Sequence, residues 1–140
     1  MITVGMREPA QLQAQLLERS PCEQTFLIMA GQESVPVRTR SVGDQYIYSC
    51  LSAAAVALVM GIDLATVARG LEAVERVPGR MERIECGQPF SVFADSADTP
   101  DRLAVALKTL RRATRGRVLC AYSVYDRKRV GERPLMGRVA

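Results

Sequence analysis

The hydrophobic period of this chain changes twice, and those changes limit the folds open to it. Up to Arg40 apolar residues recur every second position or in short extended runs; from Ser49 they recur at helical spacing; from Ser91 an extended run returns. An all-helical bundle and an all-β sandwich are both excluded by this order, which predicts an α/β chain.

In the first part Leu12-Gln13-Ala14-Gln15-Leu16 has the alternation of a strand with one buried face. Thr25 to Ala30 and Ser34 to Arg40 are extended runs joined at Gly31-Gln32, which predicts a hairpin. Pro36 cannot donate a ladder hydrogen bond, so its strand should lie at a sheet edge or turn that side outward. From Ser49, the apolar residues Leu51, Ala54, Ala55, Leu58 and Val59 predict a helix stopped by Gly61. Asp63 should cap a second helix with the stripe Leu64, Val67, Ala68, Leu71 and Val74, closed by Pro78-Gly79. The last part reads as strand, helix, strand: Ser91 to Asp95, Thr99 to Arg112 and Arg117 to Tyr122. Thr99 suits an N-cap, Pro100 the first helical position, and Asp101 opposes the dipole. That order predicts a parallel βαβ unit, with chemistry beyond its strand ends at Asp95 to Asp98 and Tyr122 to Arg129.

The 140 residues carry 19 Lys and Arg against 15 Asp and Glu, a net charge of +4, with the basic residues crowded between Arg102 and Arg138. Few aromatics interleave that run, so it reads as a solvated helix end rather than a nucleic-acid surface. Cys22, Cys50, Cys86 and Cys120 are widely spaced and there is no histidine, which argues against a zinc site and for cysteines used as small buried apolar residues. The longest apolar run, Ala53 to Met60, is too short to span a bilayer, and no amino-terminal leader pattern is present, so a cytoplasmic location is expected.

Four segments in fixed order carry a family resemblance. Cys50 to Leu64 with Gly70-Leu-Glu-Ala-Val, then Val77-Pro-Gly-Arg-Met-Glu-Arg, resemble the end of the Mur ligase central domain. Asp95-Ser-Ala-Asp-Thr-Pro-Asp resembles the family segment Asp-Tyr-Ala-His-Thr-Pro-Asp, and Arg133-Pro-Leu-Met-Gly the end of its Asp-Arg-Asp loop. The opening Ile2-Thr-Val-Gly fits as well, and the pattern is nearest to the MurE-type enzymes. The resemblance implies the end of the central domain over residues 1–82, a β-hairpin plus helices, followed over 83–140 by the first βαβ unit of a Rossmann-like C-terminal domain.

The activity it implies is ATP-dependent addition of an amino acid to UDP-N-acetylmuramoyl-L-alanyl-D-glutamate in peptidoglycan synthesis, with ATP and magnesium as the family's cofactors. Such chemistry rests on a phosphate loop, on magnesium and on fixed donors. The chain contains no Gly-x-x-x-x-Gly-Lys-[Ser/Thr], so no cofactor and no catalysis are expected of it alone. Its motifs have also drifted: Gln45-Tyr-Ile-Tyr-Ser replaces a family segment containing two asparagines, expected just before the helix and near the adenine. Ser96 and Asp98 stand where the family has Tyr and His, and Asp98 places a carboxylate where it would repel phosphate.

Three residues carry the ancestral site in this reading. Arg80 matches an arginine near ATP, or else pairs with Glu82 or Asp95 between domains. Asp95 matches an aspartate facing the nucleotide, or else caps the following helix. Arg127 matches the arginine that holds the incoming amino acid's carboxylate, a task suited to a planar bidentate donor. Expected partners are a second copy of the chain or a complementary ligase fragment, and neither a membrane nor nucleic acid; the rival reading is a non-catalytic assembly module.

Overall fold

A computed structural model describes residues 2–7, 9–123 and 131–140. The chain divides into two compact units, Met1–Val77 and Pro78–Ala140, so the break falls five residues before the boundary expected at 82.

In the first unit β1 (Val4–Gly5), β2 (Leu12–Arg19), β3 (Gln24–Ala30) and β4 (Glu33–Thr39) form one sheet in that order, followed by α1 (Asp44–Val59) and α2 (Leu64–Glu72). β1 runs parallel to β2, while β2–β3 and β3–β4 are antiparallel. The β3–β4 hairpin closes through Gly31-Gln32 between the paired residues Ala30 and Glu33, and Gly31 has φ +60° as a two-residue turn requires. Leu17 is skipped in the β2–β3 register, a bulge at the point where the alternation of β2 gives way to Leu16-Leu17.

The alternation buries one sheet face. Leu12, Ala14, Phe26, Ile28 and Val37 point inward against Ile47, Cys50, Leu51 and Ala54 of α1 and Leu64, Val67 and Ala68 of α2. Pro36 sits in the edge strand β4, opposite Leu27. Arg38, two residues on, directs its N–H to the same free side, where the Glu72 carboxylate of α2 accepts it at 2.9 Å. Proline's missing donor therefore costs nothing on this edge, and a helix side chain satisfies the next one.

The first helix begins at Asp44, five residues before the start expected at Ser49, so Gln45 to Tyr48 lie within it rather than ahead of it. Its N-cap is Gly43, with φ +117° and no capping side chain of its own. The capping group comes from β3 instead: buried Gln24 accepts the Gly43 N–H at 3.0 Å and donates to the Gly43 carbonyl at 3.4 Å. Arg19 bridges the same Gln24 oxygen, at 2.9 Å, to Asp44, at 2.7 Å. At the other end the Ile62 N–H reaches the Ala57 carbonyl and the Gly61 N–H that of Leu58, with Gly61 at φ +81°, a Schellman stop. α2 starts where expected, with Asp63 accepting the Thr66 N–H at 2.8 Å, and ends at Glu72, leaving Val74 outside the helix.

In the second unit β5 (Glu82–Ile84) and β6 (Val92–Ala94) form a separate antiparallel pair, followed by α3 (Pro100–Ala113) and α4 (Arg133–Val139). Thr99 caps α3 with Pro100 in its first turn, as the sequence indicates. The parallel βαβ unit is a correction among the described residues: β6 pairs antiparallel with β5, and Arg117 to Tyr122 joins no ladder. Parallel strands hold only where both faces are covered, and Leu119, at the centre of the expected strand, is 84% exposed. α4 was not foreseen; it packs on α3, with Met136 of α4 and Leu103 of α3 both buried.

The cysteine reading also needs correction. Cys50 is buried in the core, Cys22 is half-buried, and Cys86 and Cys120 are exposed. Burial pushes the Cys50 thiol up from 9.0 to about 11. Below the lower value the thiol is protonated whether folded or not; between the two, only the unfolded chain ionises, so stability falls as pH rises through that window. Thiol labelling near neutral pH should modify Cys86 and Cys120 rapidly and Cys50 only on unfolding.

Replacing Gln24 by Ala should strand the Gly43 N–H and cost about 1–3 kcal/mol, read as a lower urea midpoint, while Gln15→Ala on exposed β2 backbone should leave the midpoint unchanged.

Candidate functional site

Two of the three sequence-derived site residues are drawn to one turn of the second unit. Pro78 to Glu82 form a tight loop entering β5, in which Gly79 takes φ +65° and Met81, without glycine's freedom, takes φ +47°. A non-glycine residue in the left-handed region needs outside support. Asp95 supplies it: its Oδ2 accepts the Met81 N–H at 2.8 Å, just beyond the Glu82–Ala94 pair of the β5–β6 ladder. Glu82 accepts the Gly79 N–H at 2.9 Å. The Gly79 carbonyl takes both the N–H and the hydroxyl of Ser96, each at 2.8 Å.

The side chain at the crown of this turn is Arg80, exposed and with no hydrogen bond or ion pair among the described residues. It does not pair with Glu82 or Asp95, the structural role the sequence left open for it. Asp95 does not cap α3 either, since Thr99 does; it holds the turn that displays Arg80. The sequence did not disclose the parts of Met81, Glu82 and Ser96 in this turn. Pro78-Gly79 was the available signal, because a turn glycine implies neighbours that must satisfy its backbone groups. Arg127 and its neighbour Asp126 lie outside the described residues.

The turn can offer an anion the Arg80 guanidinium, which has no partner among the described residues and is a planar donor suited to a carboxylate or a phosphate. It does not suit a metal. Asp95 and Glu82 are engaged by backbone N–H groups and Asp98 by Arg102 at 2.9 Å, and no three potential ligands gather among the described residues. The donors present therefore do not fit a magnesium–nucleotide complex, and no phosphoryl-transfer step is assigned to them.

The resemblance of these motifs to the Mur ligases is matched by comparison with known proteins. No family profile matches the chain. The UDP-N-acetylmuramoyl-L-alanyl-D-glutamate--2,6-diaminopimelate ligase of Geobacillus kaustophilus is 36% identical over 140 residues, which are 100% of this chain and 29% of that protein. A solved structure of a ligase with the same name has 28% identity and a TM-score of 0.66 over 99% of this chain and 28% of its own. MurF from Acinetobacter baumannii, at 24% identity, shares the fold, with a TM-score of 0.70 over 81% of this chain and 24% of its own. Over its whole length the chain is similar to MurE-type ligases, and it spans under a third of the length of these relatives. No described helix is long and apolar enough to cross a membrane.

Asp95→Ala should release the Met81 N–H and Gly79→Ala should force a Cβ into a left-handed turn, the second costing about 1–2 kcal/mol. Amide exchange at Met81 should accelerate in the first variant, and exchange throughout β5 in the second, with α1 and α2 unaffected in both.

Proposed function

We propose that this chain is a non-catalytic segment of a MurE-type ligase, in which 1–82 corresponds to the end of the central domain and 83–140 to the start of the C-terminal domain. The observation that carries this reading is an end-to-end match to a diaminopimelate ligase in a chain that contains no phosphate-loop motif. The parent activity is amino-acid addition to a UDP-linked muramoyl dipeptide with ATP and magnesium, in the cytoplasm. Phosphoryl transfer depends almost wholly on positioning, and the positioning groups are the ones missing here. What the chain retains is the scaffold of the junction: a core-packed hairpin and helix pair, then a braced turn presenting Arg80. Asp98, three residues after Asp95, adds a carboxylate paired with Arg102 where the resembled family has a histidine, which disfavours a nucleotide there.

Calorimetric titration of the purified chain with magnesium–ATP should give no binding tighter than the millimolar range, and a coupled phosphate-release assay with UDP-muramoyl dipeptide and diaminopimelate should stay at background. Micromolar ATP binding, or phosphate release dependent on both substrates, would overturn the reading.

A further inference from the structure

Charge is divided unevenly between the two units. Met1–Val77 carries 6 Lys and Arg against 8 Asp and Glu, and Pro78–Ala140 carries 13 against 7. Within the second unit the excess is concentrated, because the stretch from Arg102 to Tyr125 holds six cations and no acid. Lys108, Arg111, Arg112, Arg115 and Arg117 are all exposed. Cations in the last turn of α3 answer the helix dipole, but α3 ends at Ala113 and that field fades within a turn, so Arg115 and Arg117 have no such cause. The residues that follow are apolar and also stand in solvent. Arg117 to Tyr122 joins no ladder, Leu119 is 84% exposed and Tyr122 43%. The Tyr122 hydroxyl lies over Gly137, 3.3 Å from where a Cβ would stand, which sets this segment beside α4, whose Arg133, Leu135 and Arg138 are exposed as well. Half-buried Glu132 is the one acid among the described residues from 102 to 140.

We propose that this face docks on the surface of an anionic lipid bilayer, with its cations on the headgroups and Leu119 and Tyr122 entering the headgroup boundary. The sequence, taken alone, set Leu119 inside a sheet and gave no reason to expect a membrane partner. Exposed beside a cluster of cations, it makes with them the combination that interfacial binding needs, since neither basic charge nor one apolar anchor holds a protein to a bilayer alone. Lysine and arginine suit that place because their stems lie along apolar surface while their charges stay among the headgroups. No described helix is long and apolar enough to span, so the contact is peripheral. A nucleic acid would use the charge but not the leucine, and it would want aromatic faces for stacking, of which Tyr122 is the one among the described residues of this stretch. An acidic protein would need carboxylates matched in position. A fluid bilayer needs no such match, which suits cations spread over two helices and an extended segment. The proposal rests on the second unit alone and is independent of the ligase reading.

Co-sedimentation of the full chain with vesicles should show binding to mixed phosphatidylglycerol and phosphatidylcholine, weakening as salt is raised, and none to phosphatidylcholine alone. Replacing Arg112 and Arg115 together by Gln should weaken binding roughly 25-fold, at about fivefold for each cation lost near an anionic surface. Leu119→Gln should weaken it about tenfold, by removing the apolar anchor. Arg40→Gln, which removes an exposed cation from the first unit, should leave it unchanged, and circular dichroism should show all the variants folded. Absence of binding to the mixed vesicles, or equal binding to both kinds, would overturn the proposal. So would full binding by Leu119→Gln, which would reduce the contact to charge alone, or displacement of the chain from the vesicles by a single-stranded oligonucleotide that it binds more tightly.

Discussion

The amide of Gln24 has to find partners inside an apolar core, and the way it does so fixes the geometry of the first unit. It lies on β3 at 1% exposure and clasps both backbone groups of Gly43, thereby setting where the chain leaves β4 and where α1 begins. Arg19 on β2 and Asp44 in the first turn of α1 close the network around it. A buried amide left without partners costs more than a satisfied one contributes, so the sheet and the helix cannot shift past each other without breaking several bonds at once. The apolar faces of Phe26, Ile28, Ile47 and Leu51 supply most of the burial, but hydrophobic contact is non-directional and would tolerate a range of helix positions. The clasp selects one.

The same contrast between local and distant causes explains what could be read from the sequence. The strands β2 to β4, the turn at Gly31, the edge position of Pro36, the Asp63 cap and the Thr99-Pro100 start of α3 are each specified by residues close together in the chain. The true start of α1 is not. Gly43 offers no side chain, Tyr46, Ile47 and Tyr48 have the composition of a strand, and the capping oxygen comes from a residue 19 positions earlier. Strand 117–122 was expected from its apolar content, yet a strand exists only through its neighbours, and the described residues supply no partner for it. The exposed Cys86 and Cys120 show the limit of composition: burial frequency is a property of a residue type, not of a position.

At the candidate site the segments 77–83 and 95–101 meet at one turn. Asp95, matched to an aspartate that faces a nucleotide, spends one carboxylate oxygen on the Met81 N–H; Glu82 and Ser96 hold Gly79. These are the residues that make the strained Pro78–Glu82 loop possible, and they leave Arg80 as its projecting charge. A positioned guanidinium at such a turn can attract an anion.

The proposal that the chain folds as a MurE-like scaffold without binding nucleotide on its own is tested most directly by an amide-resolved NMR spectrum recorded with and without millimolar magnesium–ATP. The account predicts dispersed, native resonances for β2 to α2 and for the Gly79–Glu82 turn, with no saturable change in either on addition of nucleotide. Saturable shifts confined to Gly79, Arg80, Met81, Asp95 and Ser96 would contradict it, because they would mean that this turn still closes a nucleotide site.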